Sequence, residues 1–81
     1  MTQAEAIAKL QQIFDDILLD SVPLTAALSA RDVEEWDSLL HVSIVVAVER
    51  AFNIKFRVGE VEAAENIGQF AALIVHRLEQ A

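Results

Sequence analysis

Eighty-one residues make one domain, residues 1–81, near the lower end of what folds on its own hydrophobic core. Hydrophobic residues are 54% of the chain, and only two Gly and one Pro interrupt it, which favours long helices over many short strands. The chain has no cysteine, which excludes disulfide stapling and thiol catalysis by the chain itself. A net charge of −7 speaks against nucleic acid, whose phosphates call for clustered Lys and Arg. The same charge suits encounter with basic partner surfaces as well as plain solubility.

The first element is an amphipathic helix from Thr2 to about Leu19, with apolar residues at Ile7, Leu10, Ile13, Phe14, Ile17 and Leu18 at spacings of three and four. Thr2 suits its N-cap, and Glu5, three residues on, would close a capping box. Asp20-Ser21-Val22-Pro23 is a stop, because proline restricts the residue before it and cannot continue a helix. A long connection to Asp37 follows. Connections of that length carry a function or a turn of helix of their own, and Leu24, Leu28, Val33 and Trp36 are placed to tack this one onto the core.

Leu39 to Phe52 reads LLHVSIVVAVERAF. Its Val and Ile content would suit a strand, but its length and the absence of a turn residue before Asn53 make it a helix. Gly59 and Glu60-Val61-Glu62 then give a short helical turn. Asn66 caps a last helix, about Ile67 to Glu79, with Ile67, Phe70, Ala71, Ile74, Val75 and Leu78 on one face. Three main helices and a short one predict an all-α, four-helix bundle with a long first loop.

The second main helix is more apolar than a surface helix needs. Ile44, Val45, Val48 and Phe52 already form an inward stripe, and Leu39, Val42 and Val46 form another, rotated away from it. Either the helix is central and packed on both sides, or the second stripe is exposed for a partner protein. At its start, Asp37 is a good N-cap residue and puts the Ser38 hydroxyl in the first turn near solvent. A phosphodiester on that hydroxyl would lie at the positive end of the helix dipole, beside unpaired N–H groups. Asp-Ser before an apolar run is also an ordinary cap, and these residues alone do not separate the two readings.

The stretch Trp36-Asp37-Ser38-Leu39-Leu40-His41-Val42, with Glu49 and the close Phe52-Asn53-Ile54, resembles the centre of an acyl carrier protein. The family's Asp-Ser-Leu attachment motif opens its second helix, and a Glu follows eleven residues after the Ser. The resemblance extends over nearly the whole chain. It implies a four-helix bundle that catalyses nothing itself. A phosphopantetheinyl transferase would move a 4'-phosphopantetheine arm from coenzyme A onto Ser38, and acyl-loading and acyl-processing enzymes would act on the thioester the arm carries. The working sulfur would thus arrive with the cofactor. Asp37 matches the residue that assists modification; Leu39, Val42, Val46 and Glu49 match a partner-docking surface.

Two departures from the family pattern narrow the expectation. Glu35 stands where many carriers have Gly, and His41, Ser43 and Arg50 occupy positions that are often acidic in bacterial fatty-acid carriers. The Trp-Asp-Ser-Leu-x-His form looks more like carriers of specialised pathways, such as polyketide or methoxymalonyl-type extender-unit assembly, than general fatty-acid biosynthesis. A peptidyl or D-alanyl carrier, or a helical interaction module with Ser38 unmodified, are the alternatives.

An enzyme would pair Ser38 with His41, three residues apart on one helix face, but no oxyanion hole is evident. His41 instead suits the edge of the bundle or a partner contact, and His76 a structural position on the border of the last helix. Two distant His and no Cys give no metal site. No stretch reaches the roughly 18–20 apolar residues of a membrane span, and MTQAEAIAKLQQ lacks the basic start and apolar run of a signal peptide. A cytoplasmic monomer is therefore expected.

Overall fold

A computed structural model of the chain describes residues 1–57 and 59–80. Four α-helices follow in order: α1 (Gln3–Ile17), α2 (Ser38–Phe52), the one-turn α3 (Glu60–Ala63) and α4 (Ile67–Gln80). A 3₁₀ turn, Ala30–Asp32, sits in the loop between α1 and α2. There is no strand among the described residues, so the all-helical expectation holds, including the Val-rich α2.

Helix α1 begins as the capping box foretells. The Glu5 N–H donates to the Thr2 hydroxyl at 3.1 Å and the Thr2 N–H donates to the Glu5 carboxylate at 2.8 Å. Those Thr2 donors hold the Glu5 carboxyl below its ordinary range. The helix ends earlier than Leu19, however. Leu18 turns extended (φ −78°, ψ 143°) and drops into the core at 7% exposure, leaving Leu19 93% exposed. Pro23 is not what stops the helix: the Glu35 carboxylate accepts the N–H groups of Leu19 and Asp20 at 3.2 and 3.0 Å, holding the chain in its new direction.

The face of α1 that the 3.6-residue period selects is the buried one: Ala6, Leu10 and Phe14 are fully covered. They meet Ile44 and Val48 of α2 and Ile67, Phe70, Ala71 and Ile74 of α4 in one cluster, with α1 packed on both of those helices. Each large side chain so covered contributes roughly 1.5–3 kcal/mol.

The long loop is pinned rather than slack. Gln11 grips it on both sides of Pro23, its amide donating to the Val22 carbonyl at 2.9 Å and accepting the Leu24 N–H at 2.8 Å. Farther on, the Leu28 and Ala26 carbonyls accept the first N–H groups of α4, from Ile67 at 2.8 Å and Gly68 at 2.9 Å. The loop thereby satisfies donors that a helix start leaves unpaired. Asn66 adds the expected cap, its Oδ1 accepting the Gln69 N–H at 2.8 Å. Such close approach requires glycine at 68: a Cβ there would stand 3.1 Å from both the Cβ and the carbonyl of Ala26.

α3 is one turn long and cannot stand alone. Gly59, at φ +87°, enters it in the left-handed region that favours glycine, Val61 is its buried anchor, and Glu60 ties it to α4. The Glu60 carboxylate accepts the Arg57 N–H and the Arg77 guanidinium. These two donors, the backbone one foremost, hold its carboxyl below its ordinary value of 4.5. A carboxyl depressed by folding adds stability above its unfolded value, and that stability is lost as pH falls through the folded one. Glu60→Gln should therefore flatten the loss of stability below pH 4.5 in urea unfolding. An unchanged pH slope would show that the Glu60 pair contributes nothing.

Candidate functional site

The start of α2 is set by Asp37. Its backbone is extended (φ −103°, ψ −174°), its Oδ1 accepts the Leu40 N–H at 2.8 Å, and its carbonyl accepts the His41 N–H at 2.9 Å. Ser38 is the first helical residue and is exposed. The N–H groups of Ser38 and Leu39 have no partner four residues back within the helix, so a patch of positive potential borders the Ser38 hydroxyl.

Just before Asp37, Trp36 fixes where this helix starts in space. Its indole meets the buried ring of Phe14 edge-on, with centroids 5.3 Å apart and planes at 73°, a contact type worth about 0.5–1.5 kcal/mol beyond area burial. Its Nε1–H donates to Nδ1 of His41 at 3.2 Å. The imidazole's other nitrogen, Nε2, lies 3.2 Å from Oε1 of Glu62. Both ring nitrogens of His41 are thus occupied by Trp36 and Glu62, and the ring is not placed as a base for Ser38. His41 sits half-buried at the bundle edge, as expected; His76 is exposed on α4, a correction to the structural position expected for it.

Beside Ser38 opens a cavity of about 660 Å³. Val61, Ile67, Phe70 and Leu28 give it an apolar floor; Trp36, Asp37, Ser38, His41 and Val42 form the α2 side, and Glu62, Glu65 and Asn66 the α3 side. The volume falls within the usual range of small-ligand pockets. Nothing in the sequence foretells it, since its walls come from four separate segments.

The second stripe of α2 faces outward. Leu39, Val42 and Val46 are 79%, 59% and 41% exposed, whereas Ile44, Val48 and Phe52 are buried. α2 is therefore not packed on both sides, and an apolar strip runs from Ser38 along the helix. Glu49 lies about 16 Å farther along the axis, at 1.5 Å rise per residue. Its Oε2 accepts the Phe56 N–H at 2.9 Å, so this carboxylate also holds the segment that leaves α2. Among the described residues no group of His, Asp and Glu is gathered to hold a metal ion, and no helix is long and apolar enough to cross a membrane.

Neither a protein-family model nor a curated protein matches the chain. Among solved structures, it is similar to the solution NMR structure of a holo acyl carrier protein from Geobacter metallireducens. The TM-score is 0.76 and the identity 37%, covering 98% of this chain and 87% of that one. Identity at that level over nearly the full length is decisive. The chain belongs to the acyl carrier protein family.

Members of the acyl carrier protein family are carriers, not catalysts, in keeping with a Ser38 that has no base and a His41 that is already engaged. The four helices and their order agree with that fold. At Asp37-Ser38-Leu39 the cap, the exposed serine and the apolar strip meet.

Placing Asp at Val46, on the exposed strip, should leave helical circular dichroism intact and change unfolding stability by less than about 1 kcal/mol. The same change at the fully buried Val48 should unfold the chain, because a lone charge in the core is severely destabilising. Equal unfolding by both substitutions would contradict the exposed strip.

Proposed function

We propose that the chain carries acyl groups as thioesters on a 4'-phosphopantetheine arm attached to the Ser38 hydroxyl. The observation that carries the reading is the Asp37 cap. By accepting the Leu40 N–H it opens α2 at Ser38, leaving the hydroxyl exposed beside unpaired backbone donors.

The residues present fit such a group. A phosphodiester on Ser38 would meet the N–H groups of Ser38 and Leu39, which favour negative charge. Asp37 assists the modification from the adjacent position while its Oδ1 keeps the helix start in place. The apolar-floored cavity opens beside the attachment point and the strip of Leu39, Val42 and Val46 runs on from it, with Val42 bordering both. The arm, when attached, supplies the thiol that the cysteine-free chain lacks.

A phosphopantetheinyl transferase loads the chain, and acyl-loading and acyl-processing enzymes dock on Leu39, Val42 and Val46, with Glu49 at the far end of that surface. Residues 1–81 act as one carrier unit, monomeric and cytoplasmic. The docking face is apolar and carries Ser43 and Arg50 in place of a run of carboxylates, while His41 turns away from it onto Trp36 and Glu62. Partners matched to it rely less on clustered Lys and Arg than partners of an acidic helix would. This favours a specialised pathway, polyketide or extender-unit assembly, over general fatty-acid biosynthesis.

Incubation of the purified chain with coenzyme A and a broad-specificity phosphopantetheinyl transferase should add the mass of one phosphopantetheine. Ser38→Ala should add none while keeping the circular dichroism of the parent. An unchanged mass for the parent chain would overturn the carrier reading.

A further inference from the structure

The three-residue chain Trp36–His41–Glu62 has no part in the attachment chemistry, yet it spans the cavity beside Ser38. Trp36 ends the long loop, His41 lies on the first turn of α2 and Glu62 on α3, and all three line that cavity. The indole Nε1–H is a donor only. His41 Nδ1 must therefore accept from it at 3.2 Å, and a neutral ring then carries its proton on Nε2, aimed at Glu62 Oε1 at 3.2 Å. In this state one imidazole joins the loop wall of the cavity to its α3 wall. The ring planes are inclined by 27° with centroids 6.2 Å apart, which suits an in-plane N–H to lone-pair bond.

A protonated imidazole has two donors and no acceptor. Nδ1–H would then face the Trp36 N–H, donor against donor, while Nε2–H would gain charge-assisted attraction to Glu62. One bond of the pair breaks and the other strengthens. Imidazole is the side chain whose ordinary charge change falls between pH 5 and 8. Besides Glu62, the charged residues that line the same cavity are Asp37 and Glu65; both are carboxylates.

We propose that His41 is a proton-operated latch on the cavity beside Ser38, holding Trp36 and Glu62 together when neutral and releasing Trp36 when protonated. The latch sets how freely an apolar guest enters the cavity, which makes His41 a positioning residue. It is a property of the bare chain and does not depend on the arm.

Trp36 is the sole tryptophan, so its indole N–H gives one resolved resonance in a ¹⁵N–¹H spectrum. At pH 8 that proton should be downfield and protected from exchange. On titration to pH 5.5 it should move upfield in a single-proton step, and its protection relative to free indole at the same pH should fall several-fold, with circular dichroism unchanged. Binding of the neutral dye N-phenyl-1-naphthylamine should tighten several-fold over the same range. His41→Gln offers an acceptor that does not titrate and should make both readouts independent of pH. An indole proton that stays put across this range, or a step that persists in His41→Gln, would overturn the latch.

Discussion

The bond from the Leu40 N–H to the Asp37 carboxylate organises the functional end of this molecule. It ends the twenty-residue stretch without α-helix, residues 18–37, and starts α2 at Ser38. Were the helix to start one residue later, Ser38 would itself be the cap and its hydroxyl would turn inward onto backbone N–H groups. With Asp37 in that place, the serine oxygen is left for chemistry. The same register turns Ile44, Val48 and Phe52 into the core and Leu39, Val42 and Val46 out of it.

Such a cap works only if the chain arrives at it from a fixed direction. Three grips supply this. Gln11 holds the loop around Pro23, the loop carbonyls of Ala26 and Leu28 take the first N–H groups of α4, and Trp36 rests edge-on against Phe14. Each of these ties the loop to a helix whose own buried face is set by α1–α4 and α1–α2 packing. The attachment point is thus on the surface but rigidly supported. α3 is the exception, a single turn held by Val61, the Glu60–Arg77 pair and the His41–Glu62 contact. It is the wall of the cavity with the fewest restraints, and regions with few buried contacts are those that open first.

The parts legible in the sequence are those decided within one turn of helix. Thr2 with Glu5, Asp37 with Leu40, and Asn66 with Gln69 are all caps three residues wide, and each is formed. The 3.6-residue period picked out the buried faces of α1, α2 and α4. It did not settle whether the second stripe of α2 was covered, because that depends on how many neighbours α2 has. The end of α1, expected at about Leu19, comes two residues sooner at Ile17, where the turn depends on Glu35, which is fifteen residues from Asp20. Glu35 reads as a departure from the family's Gly; folded, it takes two backbone N–H groups at the α1 corner. The cavity and the reach from His41 to Glu62 across twenty-one residues carry no local signal at all.

The carrier role rests on one hydroxyl out of several. The chain contains serines at 21, 29, 38 and 43, and only Ser38 follows a cap that leaves it exposed at the head of a long helix. Ser43 by contrast already donates to the Leu39 carbonyl at 3.4 Å, and Ser29 to Asp32 at 3.1 Å. Tandem mass spectrometry of the chain after treatment with transferase and coenzyme A assigns the added group to one residue. The group is expected on Ser38 alone; a group found on Ser21, Ser29 or Ser43 would contradict the Ser38 carrier site.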